Sequence, residues 1–150
     1  MKKRLYGASL AVFTCLVGTM LLCDICVREC PAAGAAVVNG VQITPEKIED
    51  IQKRYGIRIA NGDYWYDRVS GAWGYTGGPT VGQVYPFMDL GGPLKPNASN
   101  GNTGVFINGR QLHIQDVLAL RQITVVIPGK YWCDAYGNIG FEGGPMIANL

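Results

Sequence analysis

The chain has 150 residues, about one domain's length, with 48% apolar residues, 16% charged residues and a net charge of +2. That charge resides in residues 1–35, where Lys2, Lys3, Arg4 and Arg28 outnumber Asp24 and Glu29; bases and acids cancel over residues 36–150. A neutral body argues against a nucleic-acid binder, which needs a basic stripe to meet phosphates, and 10% aromatics argue against disorder despite 21 Gly and 8 Pro.

The N-terminus opens on the basic run Lys2-Lys3-Arg4, followed by Leu5 to Cys23 without a charge. This is the pattern of a signal peptide, with small residues at Ala33 and Ala35 for cleavage before Ala36, or of an uncleaved membrane anchor. Either route predicts an extracytoplasmic body, secreted or envelope-associated. Cys23-x2-Cys26-x3-Cys30-Pro31 has the spacing of the tail of a ferredoxin-type cluster motif. Met20 stands where the preceding ligand would be and Cys15 lies within the apolar run, so the ligand set is incomplete and no metal is expected. Cleavage would leave Cys133 alone, and the body would then hold no disulfide.

From residue 36 on, the sequence matches itself. Val38-Asn39-Gly40-Val41-Gln42-Ile43 pairs with Ile107-Asn108-Gly109-Arg110-Gln111-Leu112. Gly62-Asp63-Tyr64-Trp65-Tyr66-Asp67 pairs with Gly129-Lys130-Tyr131-Trp132-Cys133-Asp134, and Gly74-Tyr75-Thr76-Gly77-Gly78-Pro79 with Gly140-Phe141-Glu142-Gly143-Gly144-Pro145. The blocks keep their order and share 11 of 18 residues. Each half predicts a tight turn at Asn-Gly, where both residues tolerate positive φ. A short helix should follow: Thr44 caps the first, Pro45 fits its opening position, and Ile48, Ile51 and Tyr55 share a face. In the second, Ile114, Val117, Leu118 and Arg121 keep helical spacing. A hairpin comes next, its Asp opening the turn and its return strand ending at Gly-Gly-Pro.

The fold class expected is therefore α+β: an internally duplicated turn–strand–helix–hairpin unit, with two pseudo-symmetric halves around a mainly antiparallel sheet and short helices. Two halves, about 36–90 and 105–150, should share one core and be joined by a Gly/Pro/Asn-rich loop. That loop reads as exposed, either a flap or a plain linker. It carries the sequon Asn97-Ala98-Ser99.

The aromatics carry the main functional expectation. Adjacent strand residues point to opposite faces, so Tyr64 and Trp65 cannot both enter one core. Tyr64, Trp65, Trp73, Tyr131, Trp132 and Tyr136, with Tyr66, Tyr75 and Phe141 nearby, are the candidate binding residues. They suggest a non-catalytic secreted or envelope module that takes a glycan or protein partner on its two hairpins. Membrane contact would come only through an uncleaved N-terminus. Asp67, Asp134 and Glu142 form the alternative acidic site, and turn formation is the simpler reading of the two aspartates. A small extracytoplasmic hydrolase using these carboxylates and His113 is the competing class, and a purely structural module the third. His113 aligns with Thr44, which points to helix initiation. Its spacing to Asp116 allows a base–carboxylate pair, with Ser99 as the nucleophile that reading would use. The Gly-Gly-Pro runs resemble no phosphate loop and no dinucleotide fingerprint, because no basic residue follows and no strand leads through them into a helix. No cofactor is called for.

Overall fold

The computed structural model describes residues 35–150. The expectations for the export segment, its cleavage site and Cys15, Cys23, Cys26 and Cys30 lie outside the described residues. Ten strands and two helices form two mixed five-stranded sheets, one in each half. The class is α+β with two halves. The single sheet with a shared core does not form. Each half closes its own sheet over its own apolar cluster instead.

The first half begins with strand β1 (Ala36–Val38), which turns at Asn39-Gly40 into β2 (Val41–Gln42). Asn39 (φ 51°) and Gly40 (φ 80°) both have positive φ, as the two-residue turn demands. Helix α1 (Pro45–Tyr55) starts at the Thr44 cap, whose hydroxyl accepts from Lys47 N at 3.3 Å. It ends at Gly56, where φ is 71° and the amide closes on Gln52 O. The helix is a crossover: it returns the chain to β3 (Gly62–Tyr66), which pairs parallel to β1. β4 (Ala72–Tyr75) and β5 (Gly82–Gln83) add antiparallel strands, for the order β2-β1-β3-β4-β5.

The second half follows the same course through β6 (Val105–Ile107), β7 (Arg110–Gln111), α2 (Ile114–Leu120), β8 (Gly129–Cys133), β9 (Asn138–Phe141) and β10 (Met146–Asn149). Its order, β7-β6-β8-β9-β10, is that of the first half element for element. His113 caps α2, with Nδ1 accepting from Gln115 N at 3.2 Å. The predicted helix face is only partly used: Val117 is buried, Ile114 and Leu118 are exposed, and Leu120 packs on the core instead. The return strands β4 and β9 end at Gly77-Gly78-Pro79 and Gly143-Gly144-Pro145, but these two runs do not stop the sheet from growing. They are turns, with Gly78 N bonded to Tyr75 O and Gly144 N to Phe141 O, and each leads into one more strand of the same sheet.

Strand register explains the repeated glycine that opens the third sequence block. Trp65 pairs with Gly74 and Trp132 with Gly140. Each indole lies across its partner glycine and donates to the turn beyond, Trp65 Nε1 to Gly78 O at 3.1 Å and Trp132 Nε1 to Gly144 O at 3.0 Å. A Cβ on Gly74 would stand 2.7 Å from the Trp65 ring and collide with the Pro79 carbonyl. Gly74→Ala should therefore destabilise the chain by about 1–3 kcal/mol, read as a lowered urea midpoint. An unchanged midpoint would mean that the indole does not lie there.

The loop joining the halves is exposed over much of its length and anchored in its middle. Ala98 and Ser99 are buried, Gly77 N donates to Ala98 O at 2.7 Å, and Gln111 N donates to Pro96 O at 2.8 Å. Residues 96–99 thus tie the two halves together. Among the described residues no helix is long and apolar enough to cross a membrane.

Candidate functional site

Strand alternation splits the candidate aromatics into groups that do not meet. On β3, Tyr64 and Tyr66 face the apolar cluster under α1, and Trp65 points the other way. Trp65 is fully buried, with the Arg110 guanidinium 3.8 Å above its ring, so it is no binding residue. Tyr64, Trp73 and Tyr75 pack on one another at centroid distances of 5.3–6.2 Å. In the second half Tyr131 is buried and stacks on Phe141 at 4.8 Å, Trp132 is half-buried over Gly140, and Tyr136 is exposed at its hairpin tip. The common platform read from the sequence is absent.

The aspartates build turns. Asp67 Oδ1 accepts from Val69 N at 2.9 Å, and Asp134 Oδ1 accepts from Tyr136 N at 2.9 Å. The Asn138 side chain bonded to Asp134 holds that carboxyl below its ordinary value, assisted by the Tyr136 and Asn138 amides. Asp67 is buried and saturated, its Oδ2 taking Ser70 Oγ at 2.5 Å and Asn108 Nδ2 at 2.6 Å. Glu142 is exposed. His113 spends one ring nitrogen on its cap, and Asp116 pairs with Arg110 rather than with His113. Among the described residues no three His, Cys, Asp or Glu side chains gather around one point. The hydrolase constellation is not assembled.

What the structure does assemble is a buried seam between the halves. Arg110, 4% exposed, bonds Ser99 Oγ, Thr80 Oγ1 at 3.2 Å and Asp116 Oδ2 at 3.2 Å. Asp116 Oδ1 also accepts from Thr80 N at 2.8 Å. Burial pulls the guanidinium down from its ordinary value, and the Asp116 carboxylate opposes that pull. The Asn108–Asp67 bond and Gln83 Nε2 to Ala135 O, 3.0 Å, add further ties between the halves. Arg110 and Thr80 were not among the sequence candidates. The one signal was a mismatch inside the repeat, where Arg110 stands at the position of Val41.

Cys133 lies in the second half's apolar cluster, its backbone bonded to Asn108, and burial pushes its thiol up to about 11, the Asp134 and Asp67 carboxylates adding to the shift. The unfolded thiol ionises near 9, so rising pH favours the unfolded chain between about 9 and 11. Urea midpoints should fall across that window and recover in Cys133→Ser. A midpoint equally sensitive in both chains would sink the assignment.

Each half also carries an apolar cleft over its sheet, about 230 Å³ in the first and about 280 Å³ in the second. Matched positions line the two: Val38 and Ile107, Tyr64 and Tyr131, Tyr75 and Phe141.

Over 110 residues the chain is 38% identical to extra-large guanine nucleotide-binding protein 1 of Arabidopsis thaliana, covering 71% of this chain and 12% of that protein. Over 88 residues it is 34% identical to extra-large guanine nucleotide-binding protein 2 of the same plant, covering 57% and 10% respectively. The chain thus spans roughly a tenth of the length of the relatives it matches. No protein-family model and no solved structure matches it significantly. The relatives' names are those of guanine nucleotide-binding proteins, not of secreted or envelope proteins. They overturn the signal peptide, the extracytoplasmic location, the exported hairpin module for a glycan or protein, and the extracytoplasmic hydrolase. The chain is similar to a segment of plant extra-large guanine nucleotide-binding proteins.

Proposed function

We propose that residues 36–150 form a G-protein-related domain that contributes a protein-contact surface to the polypeptide carrying it. The 38% identity over 110 residues to extra-large guanine nucleotide-binding protein 1 carries this reading. The guanine nucleotide of that name is not assigned to these residues. Phosphates are held by a glycine-rich loop that runs from a strand into a helix and ends in Lys-Ser or Lys-Thr. The Gly-Gly-Pro runs here join strand to strand.

The test uses the relative itself. Replacing the matched segment of the Arabidopsis protein with residues 36–150 should preserve the set of proteins that co-purify with it. Deleting the segment should remove at least one of them. A partner set untouched by the deletion overturns the reading, as does saturable binding of magnesium GTP by the present chain.

We also infer that the halves arose by duplication of one unit. Equal strand orders, matched Asn-Gly turns and the paired Trp-over-Gly contacts support it.

A further inference from the structure

The first-half cleft is walled on one side by a strap, residues 84–90, whose Met88 is buried against Val38, Ile43 and Tyr66. The Tyr66 hydroxyl fastens that strap, donating to Tyr85 O at 2.7 Å and accepting from Met88 N at 3.2 Å. Beyond it the cleft is aromatic. Tyr64, Trp73 and Tyr75 pack together on one face of β3 and β4, and Tyr75 remains 55% exposed. Both strands are paired on both sides, so a ligand on this face meets side chains and not a backbone edge.

The nitrogen groups at this cleft are donors without acceptors. Trp65 and Trp132 spend their indole N–H on glycine carbonyls. Trp73 Nε1 meets no acceptor among the described residues, and no buried polar side-chain atom there lacks one, so this N–H is open to solvent. Its cross-strand partner on the edge strand β5 is Gly82, which has no side chain to cover it; a Cβ there would stand 3.3 Å from Nε1. Arg58 lines the same cleft, is exposed, and takes part in none of the ion pairs among the described residues. The repeated fold requires neither group: Ile139, buried, stands at the matched position of Trp73, and Val125 at that of Arg58.

We propose that the first-half cleft binds an extended, proline-rich segment of a partner protein that carries an acidic residue beside its prolines. A proline ring offers a compact apolar face to aromatic side chains, and its peptide unit accepts hydrogen bonds without bringing an N–H of its own. That matches a cleft whose open groups are an indole donor and a guanidinium. The polyproline conformation is preformed, so little ordering entropy opposes its binding to a flat aromatic face. The acidic residue supplies the charge opposite to Arg58. The proposal rests on the protein-contact reading above and names its site and ligand class.

The probe is a fluorescein-labelled peptide of seven prolines with an aspartate at each end, titrated into the full chain and read by anisotropy. Saturable binding is expected. Trp73→Phe keeps an aromatic ring and removes the N–H, and should weaken binding about fivefold. Tyr75→Ala should weaken it roughly tenfold or more, through loss of an exposed aromatic face. Arg58→Glu should weaken it for this peptide and leave unchanged a peptide with asparagine at both ends. Tyr136→Ala, at the exposed hairpin tip of the second half, should have no effect. Circular dichroism and urea midpoints check that each variant is folded. Absence of saturable binding overturns the proposal, as does equal binding of a peptide with alternating glycine and alanine in place of the prolines. Binding untouched by Trp73→Phe, or weakened as much by Tyr136→Ala as by Tyr75→Ala, overturns it too. If the grafted Arabidopsis protein with Tyr75→Ala keeps the partners that deletion removes, the protein-contact reading stands and the cleft assignment falls.

Discussion

Asp116→Asn is expected to destabilise the chain by about 3–5 kcal/mol, because it leaves a buried guanidinium without its ion-paired carboxylate. Arg110 and Asp116 are 4% and 10% exposed at the side chain and 3.2 Å apart. The hydrogen-bond partners left to Arg110, Ser99 and Thr80, are neutral hydroxyls, and the Asp67 carboxylate acts on it without a hydrogen bond and more weakly than Asp116. Arg110→Met with Asp116→Leu should recover most of the loss, since an apolar pair of similar volume incurs no ionic desolvation and methionine still packs on Trp65. Urea unfolding of the three variants decides it. A single variant within about 0.5 kcal/mol of the parent chain would mean that the pair stands in water and that the seam is not closed there.

Trp65→Ala should cost about 3–5 kcal/mol, the range for deleting a fully buried large aromatic. The side chain is 0% exposed and supports three neighbours at once: Gly74 beneath it, the Gly78 carbonyl that its N–H satisfies, and the Arg110 guanidinium above it. Trp132→Ala, at the matched position of the second half, should cost clearly less, because that indole is half-buried and no cation lies over it in the described contacts. Trp65→Phe should fall between them, since it keeps most of the apolar area and leaves Gly78 O without its donor, about 1–3 kcal/mol. Equal losses at Trp65 and Trp132 would contradict the seam, because only an interface between halves makes the two positions unequal.

That inequality is where reading the sequence was least reliable. The matched blocks treat Trp65 and Trp132 as twins, both packed in a core or both on a binding surface, and within each hairpin they are twins. The fold then presses the outer face of the first hairpin onto the second half and leaves the outer face of the second hairpin partly open. The N-terminal charge pattern misled in another way. A basic run followed by an uncharged stretch fits an export segment by composition alone, and the similarity to guanine nucleotide-binding proteins contradicts it.

By itself the sequence determined the local pieces: the Asn-Gly turns, the Thr44 and His113 caps, the aspartate-led hairpins and the two-half order. These are set by residues within about four positions of one another, through φ preference, capping and side-chain-to-backbone bonds. Only the tertiary structure decided that Arg110 would be buried, that Ala98 and Ser99 of the joining loop would pack between the halves, and that residues 84–90 would strap the first-half cleft. Those outcomes depend on contacts 11 to 41 residues apart, such as Arg110–Ser99, Arg110–Thr80 and Asn108–Asp67. No periodicity encodes which distant face a strand will meet. A buried charge is tolerated only where such distant partners arrive together.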